Sequence, residues 1–340
     1  MIILNDIKPI FITGVYRSGT TLISRILGNH PQLEITYDSV HFMRFSFNRF
    51  NPISDYTNFC NLTDEIQQRL SNRWKIQFDS KKVINQIQKL DSIDYSKIYD
   101  IIMTNLLKKS NSKIWGEKTN MAWRKIPDFL KMFPLGKTIL IIRDPRDILI
   151  SYKNMTYEPG LRYLDSIFAC LDSFHYAKNF KKLPSKNFHV VKYEELVTNP
   201  ETTTKKISEF LEIEYDPIMI NADKFTDKWN KTWEGNSSFE KSIRTISKQT
   251  IGRWKNRISN IELYLLELIL KEQMVDFGYE LGAIPLTKKE WNELFTILND
   301  DFIKERYDHW LKTGKGHQSY PSDPIEKAKS KINFNDYKKF

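Results

Sequence analysis

The sequence predicts an α/β fold of the P-loop type, three layers in which a central, mainly parallel sheet lies between flanking helices. Three observations predict it. Short apolar, β-rich runs recur along the chain, helical patterns separate them, and the first run opens into a glycine-containing turn followed by a helix. Strands that alternate with helices need crossover connections, and such connections build parallel sheets covered on both faces.

The β-rich runs are Pro9–Thr13, Lys113–Trp115, Lys137–Ile142 and Phe188–Val191. After the first, Thr20–Gly28 carries Leu22, Ile23, Ile26 and Leu27 at helical spacing. Similar patterns cover residues 81–109, 122–133, 146–155, 161–181, 201–211 and 261–276. The segment 36–80 is richer in Asn, Phe, Arg and Ser, has weaker periodicity, and is expected near the mouth of the site formed by the first strand–helix unit. Residues 222–258, rich in Lys, Thr, Ser and Trp, also read as irregular, the kind of long loop that serves as a lid or binding loop. After Pro285 one further amphipathic helix is expected, with Trp291, Leu294, Phe295, Leu298, Phe302 and Ile303, and then a polar, Lys-rich tail from Thr313. The expected organisation is one domain over residues 1–284 and a helical extension over 285–340, packed on that domain or trailing from it.

Composition narrows the class. At 340 residues, 40% hydrophobic and 28% charged, the chain resembles an ordinary soluble globular protein. A formal net charge of +10 favours anionic partners, although a solvated Lys-rich surface accounts for such an excess equally well. The two cysteines, Cys60 and Cys170, form no framework, so free thiols in a reducing compartment are expected. The first fifteen residues lack the pattern of a signal peptide, and no apolar run approaches the ~18–20 residues needed to span a bilayer. A soluble cytoplasmic protein without a membrane partner is the expectation.

The first strand runs into Gly14-Val15-Tyr16-Arg17-Ser18-Gly19-Thr20-Thr21-Leu22. A strand, a glycine turn and a helix N-terminus make an anion site from exposed amides and the helix dipole. The spacing matches GxxxxGK[ST] except that Thr20 stands in place of the lysine, while a cation, Arg17, lies inside the turn. Such a loop suits one phosphate with a different anionic group beside it better than a triphosphate. The third run ends in Arg143-Asp144-Pro145-Arg146-Asp147-Ile148-Leu149-Ile150-Ser151. Arg143 falls at the carboxyl end of a strand, where open α/β sheets bind ligands, and Pro145 suits a first helical turn.

Together, "YRSGTTL" and "RDPRDILIS" resemble the paired nucleotide motifs of the sulfotransferases that use 3′-phosphoadenosine-5′-phosphosulfate (PAPS). "Gly252-Arg253-Trp254-Lys255-Asn256", preceded by Lys248, resembles that family's late "GxWKN" loop. "Val191-Lys192-Tyr193-Glu194-Glu195-Leu196" followed by "Asn199-Pro200-Glu201" is similar to the segment ending its fourth core strand. The motifs occur in family order over about residues 9–282, and the strongest likeness is to tyrosylprotein sulfotransferases and related bacterial enzymes. The resemblance implies a nucleotide site formed by Arg17, Ser18, Gly19, Thr20, Thr21 and Leu22 in the first loop, with Arg143 and Ser151 on the 3′-phosphate. Tyr193, Lys248, Gly252, Arg253 and Trp254 complete it. PAPS is the implied donor and PAP the product.

Sulfuryl transfer depends on positioning and on stabilising charge at the leaving oxygen, which Arg17 and Lys118, in "Trp115-Gly116-Glu117-Lys118-Thr119-Asn120", would supply. No metal is required. The acceptor needs a general base. Ungapped counting from Arg17 puts the family's carboxylate at Asp38, where the family has a glutamate after another glutamate and this chain has Tyr37-Asp38-Ser39. His41 is the second candidate. The acceptor itself is open: a peptide tyrosine, a sugar hydroxyl or amine, or a small metabolite. Arg44, Arg49 and Arg73 would suit an acidic acceptor or serve as surface charges. Two other readings stand beside this one: a P-loop kinase, and a non-catalytic binder of nucleic acid, glycan or lipid. The first leaves "RDPRDILIS" and "GRWKN" unexplained, and the second has no RNA-binding fingerprint to support it.

Overall fold

A computed structural model describes residues 8–107, 114–155, 160–181, 186–226, 231–232, 245–318 and 325. Its centre is a five-stranded sheet of β1 (Ile10–Gly14), β2 (Leu33–Tyr37), β3 (Ile114–Lys118), β4 (Lys137–Ile142) and β5 (Phe188–Lys192). The order is β2-β3-β1-β4-β5. Every pairing is parallel.

Alternation along the strands sends successive side chains to opposite faces. Ile10, Ile12, Ile139 and Ile141 pack on one side with α1 (Thr20–Gly28) and the later helices α8 (Tyr193–Thr198) and α9 (Pro200–Leu211). Phe11, Leu140 and Ile142 face the larger core on the other side. That core also holds α4 (Tyr95–Leu106), α5 (Ile126–Met132), α7 (Asp165–Lys181) and α10 (Asn260–Asp276). The layered α/β fold expected from the strand–helix alternation is the one observed.

Three expectations need correction. Segment 36–80 is far more regular than its composition suggests. It opens on the end of β2, whose buried Leu33 and Ile35 alternate with less buried neighbours, and it contains α2 (Tyr56–Trp74). Phe59, Leu62, Ile66 and Leu70 give α2 a buried stripe, but buried Thr63, Glu65 and Arg69 interrupt it and mask the period in sequence. The predicted 81–109 helix is two, α3 (Ser80–Ile87) and α4, because Asp94 accepts from the Lys97 amide and starts a new helix. The single helix expected after Pro285 is also two, α11 (Lys288–Leu298) and α12 (Asp301–Thr313), divided where Asp300 caps the Phe302 and Ile303 amides. Leu294 and Ile303 lie in the larger core, so both helices are packed on the main body. The remaining helix, α6 (Pro145–Met155), begins at Pro145 as its sequence suggests.

Candidate active site

Most of the functional candidates converge because they follow a strand. Gly14–Thr20 lies beyond β1, Asp38 and His41 beyond β2, Lys118 and Asn120 at the end of β3, Arg143 beyond β4 and Tyr193 beyond β5. Parallel strands bring all five carboxyl ends to one edge, where open α/β sheets hold ligands.

On the β1 side the turn bends through positive φ at Arg17 (70°) and Gly19 (102°). Gly19 is required there on two grounds: a side chain rarely adopts this φ, and a Cβ would lie 2.3 Å from the Tyr193 ring. Gly19 is also the N-cap of α1, and neither a side-chain cap nor an acidic residue neutralises the first turn. The Ser18 hydroxyl is fully buried and has no hydrogen-bond partner. An orphaned donor beside an uncapped helix start is what a phosphate or sulfate would satisfy. Thr21 is exposed in that first turn, whereas Leu22 points into the core.

Arg17 donates from Nε to Ser151 Oγ at 2.8 Å. Burial and the neighbouring Arg143 push its guanidinium down to about 10, with Arg253 adding to the effect. An anion would relieve that crowding. Arg143 is buried, donates to the carbonyls of Arg17 (3.0 Å) and Thr250 (2.6 Å), and stacks 4.5 Å from the Tyr193 ring centroid. Its Nε is buried without a partner. Tyr193 shares a 2.6 Å hydrogen bond with the Thr250 hydroxyl. The late loop is fastened by Asp147, which accepts from the amides of Gly252 (2.8 Å) and Trp254 (3.1 Å). Trp254 stacks on Arg146, 4.0 Å from the ring centroid, and Arg253 is half-buried beside it. Lys248 is exposed at the start of a 3-10 turn, outside this buried cluster.

The β2–β3 side is built around Asp38. Its backbone takes the left-handed conformation, φ 48°, as does that of His41, φ 55°. The Asp38 carboxylate is paired with Lys118, itself 1% exposed, and accepts from Asn120 Nδ2 at 3.2 and 3.3 Å. Burial opposes ionisation of Asp38, but Lys118, His41 and Arg44 outweigh it and hold the carboxyl below its ordinary value. Burial lowers Lys118, while Asp38 supports its charged form. His41 is 5% exposed, its ring is edge-on to Phe45, and its backbone amide is bound by Glu117. Glu117, raised by burial, also accepts from Tyr99 and the Phe42 amide, which fixes the segment after Asp38 from behind.

Of the three arginines proposed for an acidic acceptor, Arg44 reaches this cluster, donating to the Tyr16 hydroxyl at 3.2 Å. Arg49 is instead paired with Glu65 at 3.1 Å, and the Arg73 side chain lies outside the described residues. Sequence reasoning did not single out Asn120, Asp147 or Thr250. Only the first had an available signal: it follows Lys118 by two residues at a strand end.

The chain has relatives in sequence and neighbours in fold. The chain is 22% identical over 321 residues to protein-tyrosine sulfotransferase A of Caenorhabditis elegans, covering 89% of this chain and 75% of that protein. It is 23% identical over 299 residues to protein-tyrosine sulfotransferase 1 of Danio rerio, covering 82% and 74%. The sulfotransferase domain of the olefin synthase from Synechococcus PCC 7002 has the same fold, with a TM-score of 0.57 and 20% identity over 82% of this chain and 98% of that one. The sulfotransferase domain from the curacin biosynthetic pathway follows at 0.54 and 19%, covering 81% and 99%. The sulfotransferase family model matches residues 9–217, a span that holds the β1 turn, Asp38, Lys118, Arg143 and Tyr193; the chain therefore belongs to the sulfotransferase family, whose reaction is sulfuryl transfer.

Proposed function

We propose that the protein transfers the sulfuryl group of PAPS to a hydroxyl acceptor, with Asp38 as general base. The observation that carries the donor assignment is the buried, partnerless Ser18 hydroxyl at the uncapped start of α1, beside the crowded pair Arg17 and Arg143. Ser18, Thr20 and the first amides of α1 would hold the 5′-phosphosulfate. Arg143 and Ser151 would hold the 3′-phosphate, with the Asp147-anchored loop over the nucleotide. PAPS supplies the sulfuryl group when bound.

The chain's own groups do the rest. Arg17 and Lys118 supply positive charge where a leaving oxygen gains negative charge, and a buried cation is worth more there than in water. Asp38 stays ionised, keeps a side-chain exposure of 30%, and can take the proton of an acceptor hydroxyl. His41 is buried under Phe45, which favours Asp38 as the base. The names of the animal relatives make a tyrosine phenol the first acceptor to test, and Arg44 beside Asp38 suits one flanked by carboxylates. The two free thiols, Cys60 and Cys170, suit a reducing compartment, and the cytoplasm is the proposed location.

Calorimetry with PAP, ADP, AMP and ATP with magnesium tests the donor. PAP should bind much more tightly than the nucleotides lacking a 3′-phosphate, and labelled PAPS should then modify a tyrosine-containing acidic peptide. A flat PAP titration on folded protein, or a preference for ATP, would remove the donor assignment.

A further inference from the structure

The position of Asn120 follows from the sheet. Ile12 of β1 is in register with Lys118 of β3, and the Met121 amide donates to the Gly14 carbonyl at 3.0 Å, so the chain leaving β3 runs beside the β1 turn. On the other side Tyr37 of β2 is in register with Lys118, and the Asp38 amide donates to the Lys118 carbonyl at 3.0 Å. Asn120 therefore stands between the loop that would hold the donor and the carboxylate that would act as base.

Its side chain spans the gap. The Thr20 hydroxyl lies 2.6 Å from Asn120 Oδ1, and Asn120 Nδ2 lies 3.2 and 3.3 Å from the two Asp38 oxygens. Chemistry fixes which end of the amide faces which partner. An ionised carboxylate only accepts, so the NH2 group must face Asp38, and the amide oxygen is left for Thr20, whose hydroxyl must donate. Asn120 is 5% exposed and Thr20 3%, so neither readily exchanges its partner for water. The Thr20 hydroxyl has one proton. It donates to Asn120 or to an anion in the loop, not to both.

We infer that Asn120 is a positioning residue that couples the two sides of the site, holding the Asp38 carboxylate in place and responding through Thr20 to occupation of the donor loop. The inference rests on the reading of Asp38 as base. The charged groups facing Asp38 are Lys118 from β3 and His41 and Arg44 from the segment after β2, while Lys118 in turn faces Arg25 and Arg17. Asn120 is the neutral member of this set. Its removal changes hydrogen bonding without changing net charge.

The first measurement follows the Asp38 carboxyl directly and needs no acceptor. Protein labelled with 13C at the aspartate carboxyls is titrated downward from pH 7, and Asp38→Asn identifies the Asp38 signal. Asn120→Ala should raise the Asp38 midpoint by about one pH unit, through loss of a donor to the charged form. The isosteric Asn120→Asp places a second carboxylate there and should raise it further, in two linked steps. Thr20→Val should raise the midpoint by a smaller amount, and should add nothing in the Asn120→Ala background. An Asp38 midpoint unmoved in both Asn120 variants overturns the inference, as does simple addition of the Thr20 and Asn120 effects. Transfer from labelled PAPS by Asp38→Asn separates this from the underlying reading. Full turnover there removes the base assignment, whereas lost turnover with an unmoved midpoint in the Asn120 variants leaves the base in place and removes only the coupling.

Discussion

The donor side of the site, at the ends of β1, β4 and β5, and the acceptor side, at the ends of β2 and β3, use one sheet edge in opposite electrostatic ways. On the donor side, Arg17 donates to the Ser151 hydroxyl, and Arg143 donates to the carbonyls of Arg17 and Thr250. The Asp147 carboxylate is 3.8 Å from Arg143 and also accepts from two loop amides. The proposed anionic ligand would add to these contacts. On the acceptor side Lys118 is paired directly with Asp38, which keeps this half-buried carboxylate ionised. The difference teaches that, on the proposed reading, binding and proton abstraction can be separated. On that reading one side takes up the donor's anionic groups, and the other holds its carboxylate against a lysine.

The largest effect should come from the acceptor side alone. Asp38→Asn should reduce transfer from labelled PAPS by about 10²–10⁴-fold, the usual contribution of a general base, while PAP affinity by calorimetry changes little. Because Lys118 and its neighbours hold the Asp38 carboxyl down, the wild-type rate should persist as pH falls and decline only below the ordinary carboxylate value, about 3.9. An acid limb near the ordinary histidine value, about 6.5, would move the base to His41. Loss of PAP binding in Asp38→Asn equal to the loss of turnover would break the separation of the two sides.

The same division explains what the sequence revealed. The donor side is written in contiguous residues, because a strand, a tight turn and a helix start must follow one another to make an anion cradle; Gly14–Thr20 and Arg143–Ser151 could be read in order. The acceptor side is assembled across strands. Asp38 and Lys118 meet because β2 and β3 are neighbours in register, and β2 is too short and too weakly apolar to stand out. Asn120 and Asp147 were hidden for a related reason: each matters through a partner about 80 to 105 residues away in sequence, Asp38 for the first and the Gly252 amide for the second. The helix α2 was obscured by buried polar groups on its core face, chiefly Arg69, which donates to the Val40 carbonyl.

The next effects sharpen the donor side. Arg143→Ala should weaken PAP by roughly 10–100-fold, the range of a lost charge-assisted hydrogen bond, and adenosine-5′-phosphosulfate by less. Equal losses for the two ligands would mean that Arg143 acts only by holding the Arg17 and Thr250 carbonyls together. Asp147→Asn retains one acceptor where the wild type offers two, to Gly252 and Trp254. It should weaken PAP by about five- to tenfold and speed hydrogen exchange at those two amides. Unchanged exchange would show that the loop is held elsewhere.

The smallest effect distinguishes a ligand contact from a support. Tyr193 lies at the end of β5, and its ring touches both Gly19 and Arg143 while its hydroxyl is spent on Thr250. Tyr193→Phe keeps the ring and removes one buried hydrogen bond, which costs about 1 kcal/mol of stability. If the hydroxyl only secures the late loop, PAP affinity should fall by about two- to fivefold, and Thr250→Val should produce a similar loss that is not additive with it. If the phenol instead contacts the nucleotide, Tyr193→Phe should exceed Thr250→Val and the two losses should add. The hydroxyl is 2% exposed with its residue and already paired at 2.6 Å, which places the expected outcome on the side of support. The ring under Gly19 is then the part of Tyr193 that shapes the anion turn, and the phenol oxygen is the part that ties this turn to the loop expected to close over it.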